Sequence, residues 1–157
     1  MAIGTDGLLA RSVRLGLPRS VEVDATGNLY ILESTSSRVR KVTADGILST
    51  VVGSGTRGFR GFSGDGGPAT SAKIAPMGLA LDTEGNLYIA DTYNNRIRKV
   101  TADGVIHTLA GNERMGFSGD NGAAGAAELF WPHAVAVDRS GSVYIADTQN
   151  NRIRRIW

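Results

Sequence analysis

Two histidines, a few recurring serines and a set of repeated carboxylates are the side chains here that could do chemistry. A zinc-type site needs several ligands converging on one point, yet His107 falls in a predicted fourth strand and His133 just ahead of a first strand, at different positions of a repeated pattern. The chain has no cysteine, so thiolate metal sites, thiol nucleophiles and disulfides are excluded. Ser63 and Ser118 recur within Gly-Phe-Ser-Gly-Asp, with no neighbouring His and Asp in sequence that would make either a nucleophile. Asp65 and Asp120 of that motif are candidate calcium ligands. A single carboxylate among glycines falls short of the roughly six to eight oxygens that calcium takes, and a turn-capping role is favoured. Gly64-Asp-Gly-Gly67 lacks the Lys-Ser/Thr of a phosphate-binding loop. The expectation is a non-enzymatic chain with no catalytic residues, metal or cofactor.

Positive charge is the other candidate chemistry. The 157 residues carry 17 Lys and Arg against 15 Asp and Glu, a net charge of +2. Nine of the 17 recur in sets: Arg38, Arg40, Lys41; Arg96, Arg98, Lys99; Arg152, Arg154, Arg155. Such a series could track phosphates, but long cations also solvate strand edges or pair with carboxylates such as Asp91 and Asp147, and that use is favoured. RNA recognition would also need aromatic side chains for stacking, for which Tyr93 is the evident candidate, so nucleic acid ranks below a protein, peptide or glycan ligand.

What positions these residues is a repeat. Asn86-Leu-Tyr-Ile-Ala-Asp-Thr-Tyr-Asn-Asn-Arg-Ile-Arg-Lys-Val100 returns as Ser142-Val-Tyr-Ile-Ala-Asp-Thr-Gln-Asn-Asn-Arg-Ile-Arg-Arg-Ile156, with a looser copy from Asn28 to Val42. Pro18, Pro76 and Pro132 mark one position at spacings of 58 and 56 residues. A period of this size belongs to solenoids and propellers. In the second copy Met77–Asp82 and Leu87–Asp91 are short apolar runs joined by Asp82-Thr-Glu-Gly85, which reads as a hairpin. Asp24-Ala-Thr-Gly27 and Asp138-Arg-Ser-Gly141 repeat its turn. A third strand, Arg96–Thr101, turns at Ala102-Asp103-Gly104 into a fourth, Val105–Ala110. Four short antiparallel strands per repeat make a propeller blade, covered on both faces, which is why Leu79-Ala-Leu81 and Val135-Ala-Val137 are unbroken apolar runs.

The pattern Pro-x-Gly/Ala-Leu/Val-Ala-Leu/Val-Asp-x-x-Gly-Asn/Ser-Leu/Val-Tyr-Ile-Ala-Asp-Thr-x-Asn-Asn-Arg-Ile-Arg resembles the NHL repeat. Copy one departs where Glu33-Ser-Thr-Ser-Ser-Arg38 replaces Asp91-Thr-Tyr-Asn-Asn-Arg96. The resemblance implies an all-β, commonly six-bladed propeller that serves as a binding platform. Lyases and lactonases that share this architecture set histidines and carboxylates around a central metal; no such set is evident, so metal-dependent catalysis is the last-ranked alternative.

Residues 1–157 read as one domain, with blade repeats at about 17–55, 75–112 and 131–157 and inserts at about 56–74 and 113–130. The inserts, Gly61–Ala75 and Gly116–Phe130, resemble those of bacterial NHL arrays and teneurin-like propellers. Each reads as a Gly-rich turn and about two turns of helix, and Asp6–Leu15 resembles their second half. Met1-Ala-Ile-Gly4 aligns with Thr50-Val-Val-Gly53, so it could complete a blade of another copy. Propellers close with roughly four to eight blades, so three blades per chain imply a homodimer of six, or a piece of a longer chain. Binding candidates are residues that differ among matching copies: Arg19, Met77 and His133 beside the prolines, and Ser36, Tyr93 and Gln149 in the loop between second and third strands. Asp91, Asn94, Asn95 and Arg96, with Asp147, Asn150, Asn151 and Arg152, are expected to hold that loop and tie blades together. No apolar run approaches the ~20 residues of a membrane span, and no membrane partner is expected. Localisation stays open, with a bacterial extracellular or periplasmic parent compatible with the absence of cysteine.

Overall fold

The computed structural model describes residues 2, 3, 5–55 and 61–157, with the backbone alone for residues 2 and 3. The described residues are all-β. Two short strands, β1 (Ala2–Ile3) and β2 (Leu8–Leu9), precede a 3-10 turn at Ala10–Ser12 and β3 (Val13–Arg14). The first blade follows as β4 (Pro18–Val23), β5 (Leu29–Glu33), β6 (Arg38–Val42) and β7 (Ile47–Val52). The second is β8 (Gly78–Leu81), β9 (Leu87–Asp91), β10 (Arg96–Val100) and β11 (Ile106–Ala110). The third is β12 (Pro132–Val137), β13 (Val143–Asp147) and β14 (Arg152–Ile156). Within each blade consecutive strands pair antiparallel.

Four strands per blade, the unit read from the repeat, is met in the second, and three are expected in copy three, where the sequence places only three. The first sheet has five among the described residues, because Leu8 and Leu9 pair with Leu48 and Ile47 and cover the outer edge of β7. The third has three. Ala2 and Ile3 lie parallel to Val13 and Arg14, whereas Met1 and Gly4 fall outside the described residues, as do 56–60 of the first insert. The two turns of helix expected in each insert are replaced by single 3-10 turns, Ala69–Ser71 and Ala124–Ala126. The reason is competition for the backbone. Ala69 donates to Gly104 O at 2.8 Å, while the carbonyls of Ala69 and Ala72 each accept a neighbouring blade's N–H at 2.9 Å, from Gly53 and Ser54. Those groups are then lost to a helical ladder already too short to nucleate.

The hairpin turns are built on an aspartate. Asp82 Oδ1 accepts the N–H groups of Glu84 at 2.9 Å and Asn86 at 2.8 Å, and Oδ2 takes the Asn86 amide at 2.8 Å and the Tyr88 hydroxyl at 3.0 Å. Asp24 and Asp138 do the same for Thr26 and Asn28, and for Ser140 and Ser142. The tyrosine thus ties its strand back to the turn.

Blades pack face to face. Tyr30, Leu32, Val39 and Val52 of the first meet Leu79, Leu87 and Ile89 of the second; Ala80, Tyr88, Ala90 and Ile97 on the second blade's other side meet Val135, Val143 and Ile145 of the third.

The turn carboxylates set an acid limit. The Ser140 hydroxyl and N–H donors hold Asp138 down at about 2, and the Asn28 amide holds Asp24 below its ordinary value. Burial works against ionisation of Asp82, but the Asn86 amide and its other donors outweigh it. Folded carboxyls that stay ionised where unfolded ones protonate contribute stability above about pH 4 and lose it as pH falls toward about 2. The thermal midpoint is therefore expected to drop through that window, and to drop less steeply in Asp138→Asn. Parallel curves for the two proteins in a calorimetric pH series would contradict this.

Candidate functional site

The candidate positions cluster at one end of the blades because of two local devices. In β4 and β12 the register shifts between Pro18 and Ser20 and between Pro132 and Ala134, so Arg19 and His133 are bulge residues, a placement that re-aims side chains. Met77 holds the matching place in a bend ahead of β8, its N–H on Ala90 O at 3.0 Å. Tyr93 and Gln149 sit in 3-10 turns, Thr92–Asn94 and Thr148–Asn150, whose N–H groups reach Ala75 O at 3.3 Å and Phe130 O at 3.0 Å. Each loop therefore lies against the segment that leads into the first strand of its own blade.

Beneath each loop is a carboxylate. Asp91 Oδ1 accepts Ala75 N–H at 2.6 Å and the Asn94 amide at 2.8 Å; Asp147 accepts Phe130 N–H at 2.7 Å and the Asn150 amide at 2.8 Å. In copy one the loop departs in sequence but not in design. Glu33 accepts Gly16 N–H at 2.9 Å and the Ser36 hydroxyl at 2.7 Å, its extra methylene making up for a serine shorter than asparagine. Asn95 and Asn151 close their turns in the left-handed region at φ 51° and 53°. Asn95 Oδ1 also accepts Trp131 N–H at 3.0 Å, and the Thr92 hydroxyl donates to Pro132 O at 2.6 Å, which ties the second blade's loop to the third blade. Asn94 exchanges two hydrogen bonds with the Gly61 backbone, and Asn150 donates to Gly116 O at 2.7 Å.

The middle cation of each set is directed into the protein, while Arg152 and Arg155 of the third set are exposed. Arg98 is fully buried between Asp91 at 3.5 Å and Asp65 at 2.6 Å. Arg40 stands likewise between Glu33 and Asp6, and Arg154 between Asp147 and Asp120. Arg96 and Arg152 lie over Phe62 and Phe117 at 4.0 Å, and Lys41, Lys99 and Arg155 over Tyr30, Tyr88 and Tyr144 at 5.3 Å. Burial pushes the Asp91 carboxyl up to about 6, against the pull of the Ala75 N–H and Arg98. Burial also opposes ionisation of Asp65, but Thr108 and Arg98 outweigh it and hold that carboxyl below the ordinary value. Asp65 and Asp120, read from sequence as turn caps, are thus the outer counter-ions of the buried Arg98 and the partly buried Arg154. The available signal was spacing: Asp6, Asp65 and Asp120 precede Arg40, Arg98 and Arg154 by 34, 33 and 34 residues.

Of the six candidate binding residues, the structure brings Tyr93 and His133 together, through a residue that sequence comparison passed over. Trp131 meets Tyr93 edge-on at 5.8 Å, stacks on His133 at 6.4 Å with 22° between the rings, and meets Phe130 at 6.3 Å. Trp131 is an extra residue relative to Ala75-Pro76, matched in copy one by Leu17, and both are held in the left-handed region, at φ 49° and 53°. A bulky side chain in that conformation is strained, and such strain concentrates at functional sites. Arg19 and Gln149 are exposed on the outer blades, and Ser36 is engaged by Glu33.

Removing one member of a buried ion pair leaves a bare charge. Arg98→Met is expected to lower unfolding free energy by about 3–5 kcal/mol in denaturant titration, whereas Arg114→Ala, on an exposed side chain, changes it by less than about 0.5 kcal/mol. Equal effects would show that the Asp65–Arg98–Asp91 row does not hold the insert.

Comparison with known proteins gives the same fold. Residues 58–118 match the Teneurin NHL domain and residues 131–156 the NHL repeat. The chain is 31% identical over 135 residues to Protein SUPPRESSOR OF QUENCHING 1, chloroplastic, from Arabidopsis thaliana, covering 81% of this chain and 12% of that protein. It is 43% identical over 91 residues to Teneurin-4 from Homo sapiens, covering 50% of this chain and 3% of that protein. A protein of unknown function from Bacteroides thetaiotaomicron superposes with a TM-score of 0.70 at 29% identity, over 82% of this chain and 32% of the other. The chain thus spans a small part of the length of its curated relatives.

Proposed function

This chain belongs to the NHL-repeat β-propeller family, and from that premise we propose that it is a non-enzymatic scaffold in which two copies close a six-bladed ring. The end of the ring that carries Tyr93, Trp131 and His133 then binds a protein, peptide or glycan. One observation carries the reading: the outer faces of the two outer blades are the two halves of an interface made twice inside the chain. Ile97 is fully buried against the third blade, while its counterpart Ile153 is 70% exposed; Leu79 is 4% exposed against the first blade, while its counterpart Val21 is 59% exposed. A second copy placed head to tail covers both faces, and two such contacts close the ring. The aromatic junction supports the binding end, since amphipathic rings supply large contact area at low conformational cost. The commitment of Arg40 and Arg98 to buried carboxylate pairs supports ranking nucleic acid below these ligands.

Light scattering coupled to size exclusion is expected to give twice the chain mass. Val21→Asp and Ile153→Asp, each on one outer face, are expected to weaken association by about 100-fold or more, because each removes a buried aliphatic group and introduces a charge. A single-chain mass for well-folded native protein would overturn ring closure. For the binding end, glycan and peptide arrays are expected to yield a ligand whose affinity falls by about tenfold in Trp131→Ala. Unchanged affinity in that variant would move the site elsewhere.

A further inference from the structure

The junction between the second and third blades differs from the junction between the first and second where their loops meet. Backbone bonds fix the correspondence: Thr35 N–H reaches Gly16 O at 3.4 Å, Tyr93 N–H reaches Ala75 O at 3.3 Å and Gln149 N–H reaches Phe130 O at 3.0 Å. Where the first junction has Thr35, Ala75 and Met77, the next has Tyr93, Phe130 and His133, with Trp131 added ahead of Pro132. Joining two blades does not require these rings, because Leu32 and Val52 pack on Leu79 and Ile89 at the first junction without them. Nor do the rings make the hydrogen bonds that cross the second junction. Asn95 Oδ1 accepts the backbone N–H of Trp131, and the Thr92 hydroxyl donates to Pro132 O.

What the rings offer a ligand is narrow. Tyr93 and Phe130 stand at 66° and 75° to the half-buried Trp131, so aromatic surfaces meet at steep angles, as in the aromatic-lined grooves that take proline. The carboxylates nearby are engaged: Asp91 by Ala75 N–H and Asn94, Asp147 by Phe130 N–H and Asn150, and Glu113 by Arg96 at 3.4 Å. They leave little attraction for a cation. The amides are engaged too, Asn94 with Gly61 O and Asn95 with Trp131 N–H and Glu113 O. Carboxylates and amides are the groups that would grip the vicinal hydroxyls of a sugar, and here they are committed to the protein's own backbone and to Arg96. The Trp131 indole N–H and the His133 ring, by contrast, make no hydrogen bond among the described residues. An indole nitrogen donates only. Its complement is a chain rich in free carbonyls and poor in N–H groups, which describes polyproline II.

We infer that the junction of Tyr93, Trp131 and His133 binds a proline-rich segment of another polypeptide in the polyproline II conformation. A proline ring packs against Trp131, and a ligand carbonyl accepts from its indole N–H. The preformed ligand helix keeps the ordering cost of binding low. The inference names the ligand of the binding end proposed above and rests on that reading. The site lies within one chain and does not depend on ring closure.

The probe is fluorescein-labelled decaproline titrated into the full chain, with a Gly-Ser peptide of equal length as control. Anisotropy is expected to rise saturably with decaproline and not with the control. In Trp157→Phe protein Trp131 is the one remaining tryptophan, and its emission is expected to shift to shorter wavelength with unlabelled decaproline. Trp131→Gly keeps the left-handed backbone without strain, while Tyr93→Thr and His133→Met install the residues of the preceding copies. Each is expected to weaken binding about tenfold. Equal binding of the Gly-Ser peptide, undiminished binding by Trp131→Gly, or no saturable rise overturns the proposal. A titration with the neutral sugar chitohexaose, read by the same emission, separates the two failures. A shift with the sugar and none with decaproline overturns the proline ligand and leaves the binding end standing. No shift with decaproline, together with no array ligand sensitive to Trp131→Ala, brings down both.

Discussion

A blade of this protein is apolar on both broad sides, and the rest of the structure follows from the need to cover each side with another blade. Alternation along the strands does the sorting: in β9, Leu87 and Ile89 point to the first blade while Tyr88 and Ala90 point to the third. Water cannot be left on either side without exposing large aliphatic area, which monomeric surfaces rarely do. The small residues Ala80 and Ala90 let the blades approach closely, and the larger Tyr88 fills the space beside them, its hydroxyl reaching Asp82.

Inside this apolar stack lies a row of charge that locks each insert to its own blade. A guanidinium in the middle of the third strand has to be neutralised, because an isolated buried cation is costly. The protein supplies one carboxylate from the end of the second strand and another from the insert ahead of the blade. Arginine suits the task because its planar fork presents donors in two directions, so Arg98 reaches Asp91 and Asp65 at once. The same row explains why the insert is ordered without a helix: its backbone is shared between the outer strand of its own blade and the last turn of the blade before it.

At the end where the loops gather, support and display are divided. Asp91, Asn94 and Asn95 spend their hydrogen bonds on backbone, fixing the loop and reaching across to the next blade. Above that framework, the bulge and turn residues are free to differ between copies because no ladder hydrogen bond depends on their side chains. The one-residue addition at Trp131 uses this freedom. It adds an aromatic ring without shifting the register beneath it, since the extra residue is taken up before β12.

Periodicity made the strands, the turns and the stacking legible in the sequence, because identical local chemistry repeated three times leaves little choice of local structure. Asp24, Asp82 and Asp138 form the expected turns since their partners lie within a few residues. The insert forms single 3-10 turns instead of the predicted helical turns because the groups that compete for its backbone, Gly53 and Ser54 of the blade before and Gly104 of its own, lie beyond any local window. The pairing of Asp65 with Arg98 and the meeting of Tyr93 with Trp131 were hidden for the same reason. The equivalence of Glu33 and Ser36 to Asp91 and Asn94 was hidden for a different reason: the pairs are local, but two unlike side chains span one distance. By itself the sequence determined an array of four-stranded antiparallel units apolar on both sides, since alternation and turn chemistry are local. That Asp65 meets Arg98 and that Tyr93 meets Trp131 was decided only when the blades were stacked, because each contact joins residues more than thirty positions apart.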